Sequence, residues 1–286
     1  MTTPRLPSLL VALVSAVAAS AQAVGQNETP LGGKDSWTVR FEPAVWFVGA
    51  SGDLRLPGTE ASGNGQKLDF GDLNLDSPRA SPFGELHLKR GPWRISFSAL
   101  ALSSGGRDFA ADGPGQLGPI AFDAGDVLDL SMDYVTFDTT GGYEFLTAER
   151  GTTENGGVQL RSRLIGFAGA RFHDVDFDAS LQAPDGVSVS ADRLFAEPIV
   201  GLRWELDINE RFTIDVVGAG GAFGWGDQSS WSADIGVGFT WRPVENLGVQ
   251  VGYRQLVVGL EDGDAPERFE WRGSVAGLYA GAVLRF

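Results

Sequence analysis

Apolar and polar residues alternate with a period of two along most of this chain. Between Ala276 and Phe286, the residues Ala276, Leu278, Ala280, Ala282, Leu284 and Phe286 fall on one face, and Tyr279, Gly281 and Arg285 fall on the other. That is the period of a β-strand, and the row is long enough at strand rise to cross the hydrocarbon core of a bilayer. The same alternation recurs upstream, where Leu194, Ala196, Val200, Leu202, Trp204 and Leu206 oppose Arg193, Glu197, Arg203 and Glu205. Trp231, Ala233, Ile235, Val237, Phe239 and Trp241 oppose Ser232, Asp234, Gly236 and Thr240. An aromatic at each end of an aliphatic row writes two interfacial girdles into one strand. An apolar row outside and a charged row inside predict an all-β, transmembrane, antiparallel up-and-down β-barrel.

Further segments complete the ring. In Trp37 to Val48, the residues Trp37, Val39, Phe41, Val45 and Phe47 oppose Thr38, Arg40 and Glu42, with Pro43 tolerable only at a weakly paired position. Phe83 to Lys89 turns at Gly91-Pro92 into Trp93 to Leu102, and Ile120 to Leu146 follows. Segments at 158–175, 191–206, 210–224, 229–242 and 246–260 precede the last strand. The count is about ten, and splitting or merging one hairpin makes it eight or twelve. Short connections (91–92, 207–209, 243–245) then fall on the side where the barrel starts, and longer ones (50–81, 105–119, 176–190, 224–228, 261–266) on the other; 147–157 is the exception.

Ile120 to Leu146 exceeds one crossing of about ten residues. Its upper half would set Asp129, Ser131 and Asp133 on the same face as Val135, Phe137, Tyr143 and Phe145. The expectation is that this half projects beyond the membrane, with a parity-flipping bulge as the alternative. The alternating stretch Lys67 to Leu75, inside the Gly/Asp-rich segment 50–81, is expected to be a strand extension standing outside.

At the amino terminus, Arg5 precedes an apolar run from Leu9 to Ala19 and the small-residue site Ala21-Gln22-Ala23. Residues 1–23 therefore read as a secretory signal peptide, with Val24 as the mature start and 24–36 as a flexible periplasmic lead-in to a barrel over 37–286. No later uncharged stretch nears eighteen apolar residues, which excludes a helical membrane protein. The formal charge of −15 becomes −16 once Arg5 leaves with the signal, so a nucleic-acid partner is not expected. The acid excess, in stretches such as Asp123 to Asp133 and 261–264, suits solubility, or a small solute or cation as ligand. The absence of cysteine removes disulfides and thiolate chemistry.

From Ala196 onward the order of motifs resembles the carboxy-terminal half of small outer-membrane β-barrel proteins. The likeness lies in Glu197-Pro198-Ile199-Val200-Gly201-Leu202-Arg203, Gly218-Ala219-Gly220-Gly221-Ala222-Phe223-Gly224, Ser230-Trp231, Gly252-Tyr253-Arg254, Gly277-Leu278 and the terminal Phe286. It covers roughly a third of the chain. It implies a barrel in the cell outer membrane, in contact with its lipid, whose Phe286 resembles the signal recognised by the barrel-assembly machinery. No catalytic residue comes with the resemblance.

Candidate chemistry is sparse. Glu85, His87, Lys89, Arg203, Glu205, Asp215, Asp234 and Arg254 are inward by parity and form a candidate lumen charge network, more in keeping with a filled interior than a wide pore. His173, followed by Asp174, is placed near the outer end of its strand, where a His–carboxylate pair could activate water. The glycines of 218–224 lack the Lys-Ser/Thr ending of a phosphate loop, and no cofactor or metal motif is present. The sequence thus points to a structural or interaction role through outer loops. A narrow diffusion channel and a rim-located enzyme are the alternatives; a soluble barrel with an apolar interior is disfavoured by the aromatic girdles.

Overall fold

The computed structural model describes residues 36–63, 65–152, 158–183 and 186–286. The expected signal peptide and nearly all of the lead-in, residues 1–35, lie outside the described residues.

Ten long strands form the wall: β1 (Thr38–Arg55), β3 (Arg79–Arg90), β4 (Trp93–Ala110), β7 (Val127–Thr152), β8 (Val158–Leu181), β9 (Ser188–Ile208), β10 (Phe212–Trp225), β11 (Gln228–Val244), β12 (Leu247–Asp262) and β13 (Phe269–Arg285). Three short pieces, β2 (Leu68–Asp69), β5 (Gly115–Leu117) and β6 (Ile120–Phe122), belong to the outer connections. Each long strand pairs antiparallel with the next, and β13 returns to β1 from Arg40↔Arg285 to Arg55↔Glu270. The ring closes with ten strands, which removes the sheet edges at membrane depth. Pairing of β1 with β13 is interrupted at Glu42 and Pro43, where proline supplies no ladder N–H.

The wall is much taller than a membrane. β7 spans 26 residues and β8 spans 24, more than twice the 9–11 or so that a tilted crossing needs. Polarity inverts along this height. In the lower half of β9, the outward row Val200, Leu202, Trp204 is apolar and the inward row Glu197, Arg203, Glu205 is charged. Higher up, the inward row becomes Ala191 and Phe195, and the outward row becomes Ser188, Ser190 and Asp192. On β7 the inward residues Leu128, Leu130, Met132 and Tyr134 continue, without a change of parity, into Thr136 and Asp138. Asp129, Ser131 and Asp133 therefore face outward because that stretch stands clear of lipid; no bulge flips the row between them and Phe137.

The outer half encloses an apolar core. Trp46, Val48 and Leu54 of β1, Tyr134 of β7, Phe177 of β8, Phe195 of β9, Leu260 of β12 and Trp271 of β13 point into it. Lys67 to Leu75, expected as a strand extension outside the membrane, lies in that outer half but is folded inward under the barrel mouth, and only Leu68–Asp69 pairs with β1. Phe70, Leu73 and Leu75 are fully buried, because three apolar side chains at this spacing are more stable under the barrel mouth than in water. Phe70 stacks on Trp271 at 5.6 Å and 9°, and meets Phe177 edge-on at 6.1 Å. Its N–H bonds the carbonyl of Gly52 at 2.9 Å; Gly52 holds φ at +115°, a conformation that a Cβ would block against Arg272 O and Gly273.

Two seams divide the outer half. β9 pairs with β8 along its length, but with β10 only from Ile208 to Ile199, and the seam opens at Pro198. Likewise β3 pairs with β4 only up to Phe83↔Leu100, and that seam opens at Pro82. Neither proline can donate to the next rung. Above the seams the wall is two sheets, β4-β7-β8-β9 and β10-β11-β12-β13-β1-β3, facing one another across the apolar core. The β3/β4 seam is filled by the folded-in segment, where Ser104 Oγ donates to Leu75 O at 2.8 Å.

Two connections read as outer loops, 105–119 and 176–190, are largely strand: β4 runs to Ala110, β8 to Leu181, and β9 starts at Ser188. They were misplaced because Gly and Asp on an outward row above lipid look like loop composition.

Candidate functional site

The lower lumen is filled by charge. Arg171 of β8 donates to both oxygens of Asp138 on β7, each at 2.7 Å, to Asp234 of β11 at 3.0 Å and to Ser232 at 2.9 Å. Arg254 of β12 bridges Asp234 (3.0 and 2.5 Å) and Glu85 of β3 (3.0 Å). Arg203 of β9 takes the other oxygen of Glu85 at 2.9 Å, and His87 Nε2 lies 3.1 Å from that same atom. Below them Glu205 accepts from Arg94 of β4 at 2.5 and 3.1 Å and pairs with Arg163 at 2.9 Å. Several of these pairs, β12 to β3, β9 to β3 and β4 to β9, run across the lumen as struts. Among the struts lies a small cavity of about 50 Å³, room for a few waters.

Six of the eight residues singled out in the sequence thus meet in the network: Glu85, His87, Arg203, Glu205, Asp234 and Arg254. Lys89 does not join them; it pairs with Glu144 at 2.7 Å near the lower end, since β3 carries it past the central struts. Asp215 faces the lumen beside Arg203 and Glu205, its cross-strand neighbours being Glu205 and Gly238. The sequence reading missed Asp138, whose row on β7 was confused by the outward aspartates above it, and Tyr134.

His173 is not at the rim. β8 continues eight residues past it to Leu181, and its ring points inward, fully buried, with Nδ1 2.7 Å from Tyr134 Oη and Nε2 3.5 Å from Glu197 Oε1. Asp174, the carboxylate expected beside it, faces the opposite way because adjacent strand residues alternate. The pair lies between the apolar core and the charge network.

Glu42, Glu85 and His87 bring one potential ligand atom each within 4.8 Å of one another. Arg40, Arg203 and Arg254 already engage these carboxylates, and their charge opposes a cation there. At the outer rim Glu261 accepts from Arg272 and, at 2.6 Å, from Arg268. The bond from Arg272 holds its carboxyl below the usual glutamate range. A group depressed in this way keeps its pairing as pH falls through the ordinary range and loses it only at the lower folded value.

The outer surface decides the environment. Val45, Phe47, Ile95, Val200, Leu202, Ile235, Val237, Val249, Val251 and Leu278 are exposed on outward rows around the ring. Trp204, Trp241, Trp93, Tyr143 and Phe286 border this band below, and Trp231 above. Trp231 and Trp241 are separated by about 34 Å of strand, or about 26 Å along the axis at a tilt near 40°. A closed ring wearing such a belt has one solvent that suits it, the bilayer.

The chain is an integral outer-membrane β-barrel.

No protein-family model matches the barrel, and no curated protein does. Among solved structures it is similar to the outer membrane protease OmpT from Escherichia coli over 92% of this chain and 99% of that one, at 13% identity and a TM-score of 0.48. Ail, the attachment invasion locus protein of Yersinia pestis, solved with the heparin analogue sucrose octasulfate, is similar over 87% of this barrel and 97% of its own chain, at 12% identity and a TM-score of 0.34. Neisserial surface protein A shows the same coverage and identity at a TM-score of 0.32. Fold and membrane placement follow from the barrel's own strands and surface, and these likenesses assign it no activity.

Proposed function

We propose that this barrel is a closed, non-conducting outer-membrane protein with an interaction role, whose working surface is the half that stands beyond the lipid. The observation that carries the reading is the filled interior. Cross-lumen struts occupy the lower half, and an apolar core sealed by Phe70, Leu73 and Leu75 occupies the upper half, so two barriers of opposite polarity lie in series. The working surface is strand wall and rim more than loops: β10 and β11 meet across 226–227, and β8 and β9 are joined by 182–187. With His173 enclosed between the two barriers, we assign it a structural part. Contact with outer-membrane lipid and recognition of Phe286 by the barrel-assembly machinery complete the proposal; Phe286 pairs with Val39 through both backbone bonds, and its ring lies exposed at the lower girdle.

Planar-bilayer recording tests it. Purified, refolded barrel is expected to give no discrete conductance steps. Replacing 58–77 with a short Gly-Ser linker, together with Arg203→Ala and Glu85→Ala, is expected to create steps by removing both barriers. Regular steps from the unaltered protein, altered by Arg203→Ala or Arg254→Ala, would establish the diffusion channel instead.

A further inference from the structure

We propose that the free edge of β9 above Pro198 is a strand-addition site for an extended, basic segment of a partner protein. The inference rests on the projecting half being the working surface.

Even-numbered residues of β9 aim their backbone groups away from β8. The carbonyl of Pro198 lies against Gly221 on β10, and that of Leu194 accepts Gln228 Nε2 at 3.2 Å. The groups of Ser190, Asp192, Leu194 and Ala196 alternate in step with these, yet β10 stops pairing at Gly221↔Ile199. Extending that register sets Trp225, the last residue of β10, opposite Phe195, so above Leu194 no strand among the described residues pairs with β9 on this side. β10 also peels outward before it ends: Trp225, on a row that is buried lower down, is 80% exposed. Side chains brace the edge at two of its carbonyls, Gln228 donating to Leu194 O and Arg193 Nη1 to Asp192 O at 2.9 Å, while Arg193 Nε pairs with Asp262 Oδ2 at 2.6 Å; they leave the backbone N–H donors of the edge untaken. Unpaired strand edges attract another strand, and natural proteins ordinarily cover or blunt them.

Charge selects the occupant. Asp192, Asp176 and Asp133 stand abreast on the outward face of β9, β8 and β7, with Asp174 and Asp178 on the neighbouring outward positions of β8. Within 127–137, 172–181 and 188–194 the sole Lys or Arg is Arg193, which lies on the inward row. Like charges abreast repel, and a strand added at the edge would set Lys or Arg at every second position beside them. A metal ion could answer the carboxylates but accepts nothing from the backbone N–H groups. A peptide answers both.

The test uses the full barrel in lipid nanodiscs and a fluorescent, alternating Lys-Val peptide, read by anisotropy. This peptide is expected to bind about tenfold more tightly than its Glu-Val counterpart and than a version N-methylated at alternate residues, the size of effect that one or two net hydrogen bonds carry. Ser190→Pro removes an edge donor while leaving the β8 ladder intact, and should weaken binding by a similar factor. The triple change Asp174→Asn, Asp178→Asn, Asp192→Asn should weaken it and flatten its salt dependence. Heat-modifiable migration on gels confirms that each variant is folded. Equal binding of the N-methylated peptide, or no change with Ser190→Pro, overturns strand addition and leaves a merely acidic face. Calorimetric uptake of Mg²⁺ with no peptide bound overturns it in favour of a cation surface. Conductance measured on the same preparation tells failure of this site from failure of the closed-barrel reading.

Discussion

Trp271→Ala is expected to destabilise the folded barrel by about 3–5 kcal/mol, the cost of a large aromatic truncated inside a close-packed core. Trp271 is fully buried, stacks on Phe70 and meets Tyr134 edge-on at 5.1 Å and Phe177 at 6.2 Å, so the lost volume opens beneath three other rings. Trp225→Ala, at an exposed position near the outer end of β10, should cost well under 1 kcal/mol. Urea unfolding in lipid vesicles, followed by the fluorescence of the remaining tryptophans, reads both. Similar small losses for the two would mean that the outer mouth is open and wet, and the closed-barrel reading would fall with it.

A second large effect separates lipid from water along one strand. Leu202→Arg, on the outward row of β9 within the belt, should cost about 2–4 kcal/mol, the range for arginine near the bilayer midplane. Leu202 is 54% exposed in the absence of lipid, so the penalty comes from transfer into hydrocarbon and not from broken packing. Ser190→Arg, on the same face of the same strand but above the inversion of polarity, should show no such penalty. The two variants compared in the same vesicles measure where the membrane ends. Equal cost at both sites would extend the belt to the top of β9, and equal tolerance would abolish it.

The belt was legible because lipid forces a strict rule: an apolar residue at every outward position. Rows such as Leu194 to Leu206 and Trp231 to Trp241 obey it, and strand count and facing followed from them. Above the membrane the rule lapses. An outward Asp174 or Ser190 is as acceptable in a strand as in a loop, so the composition of 176–190 disguised the upper ends of β8 and β9. The buried segment 67–75 was read from its alternation as a strand, but Phe70, Leu73 and Leu75 are spaced at three and two, which suits a compact turn tucked under aromatic rings better than a ladder. His173 was misplaced for a related reason: strand length above it could not be counted once the apolar row had changed sides. The charge network was readable residue by residue from parity, whereas its pairings were not, because Glu85 meets Arg203 and Arg254 across the lumen, a distance the sequence does not encode.

Two prolines have a mechanical consequence. Below Pro82 and Pro198 the ten strands form a closed hydrogen-bonded hoop, which cannot widen without severing rungs in a solvent that offers no replacement. Above them the same strands continue as two jaws fixed at their base, joined across one seam by the folded-in segment and across the other by Gln228 and Arg193. Water can compensate any backbone group that these jaws release. One jaw can therefore lean against the other while every rung inside the membrane stays made, which places the compliance of this molecule on the face that meets the outside world.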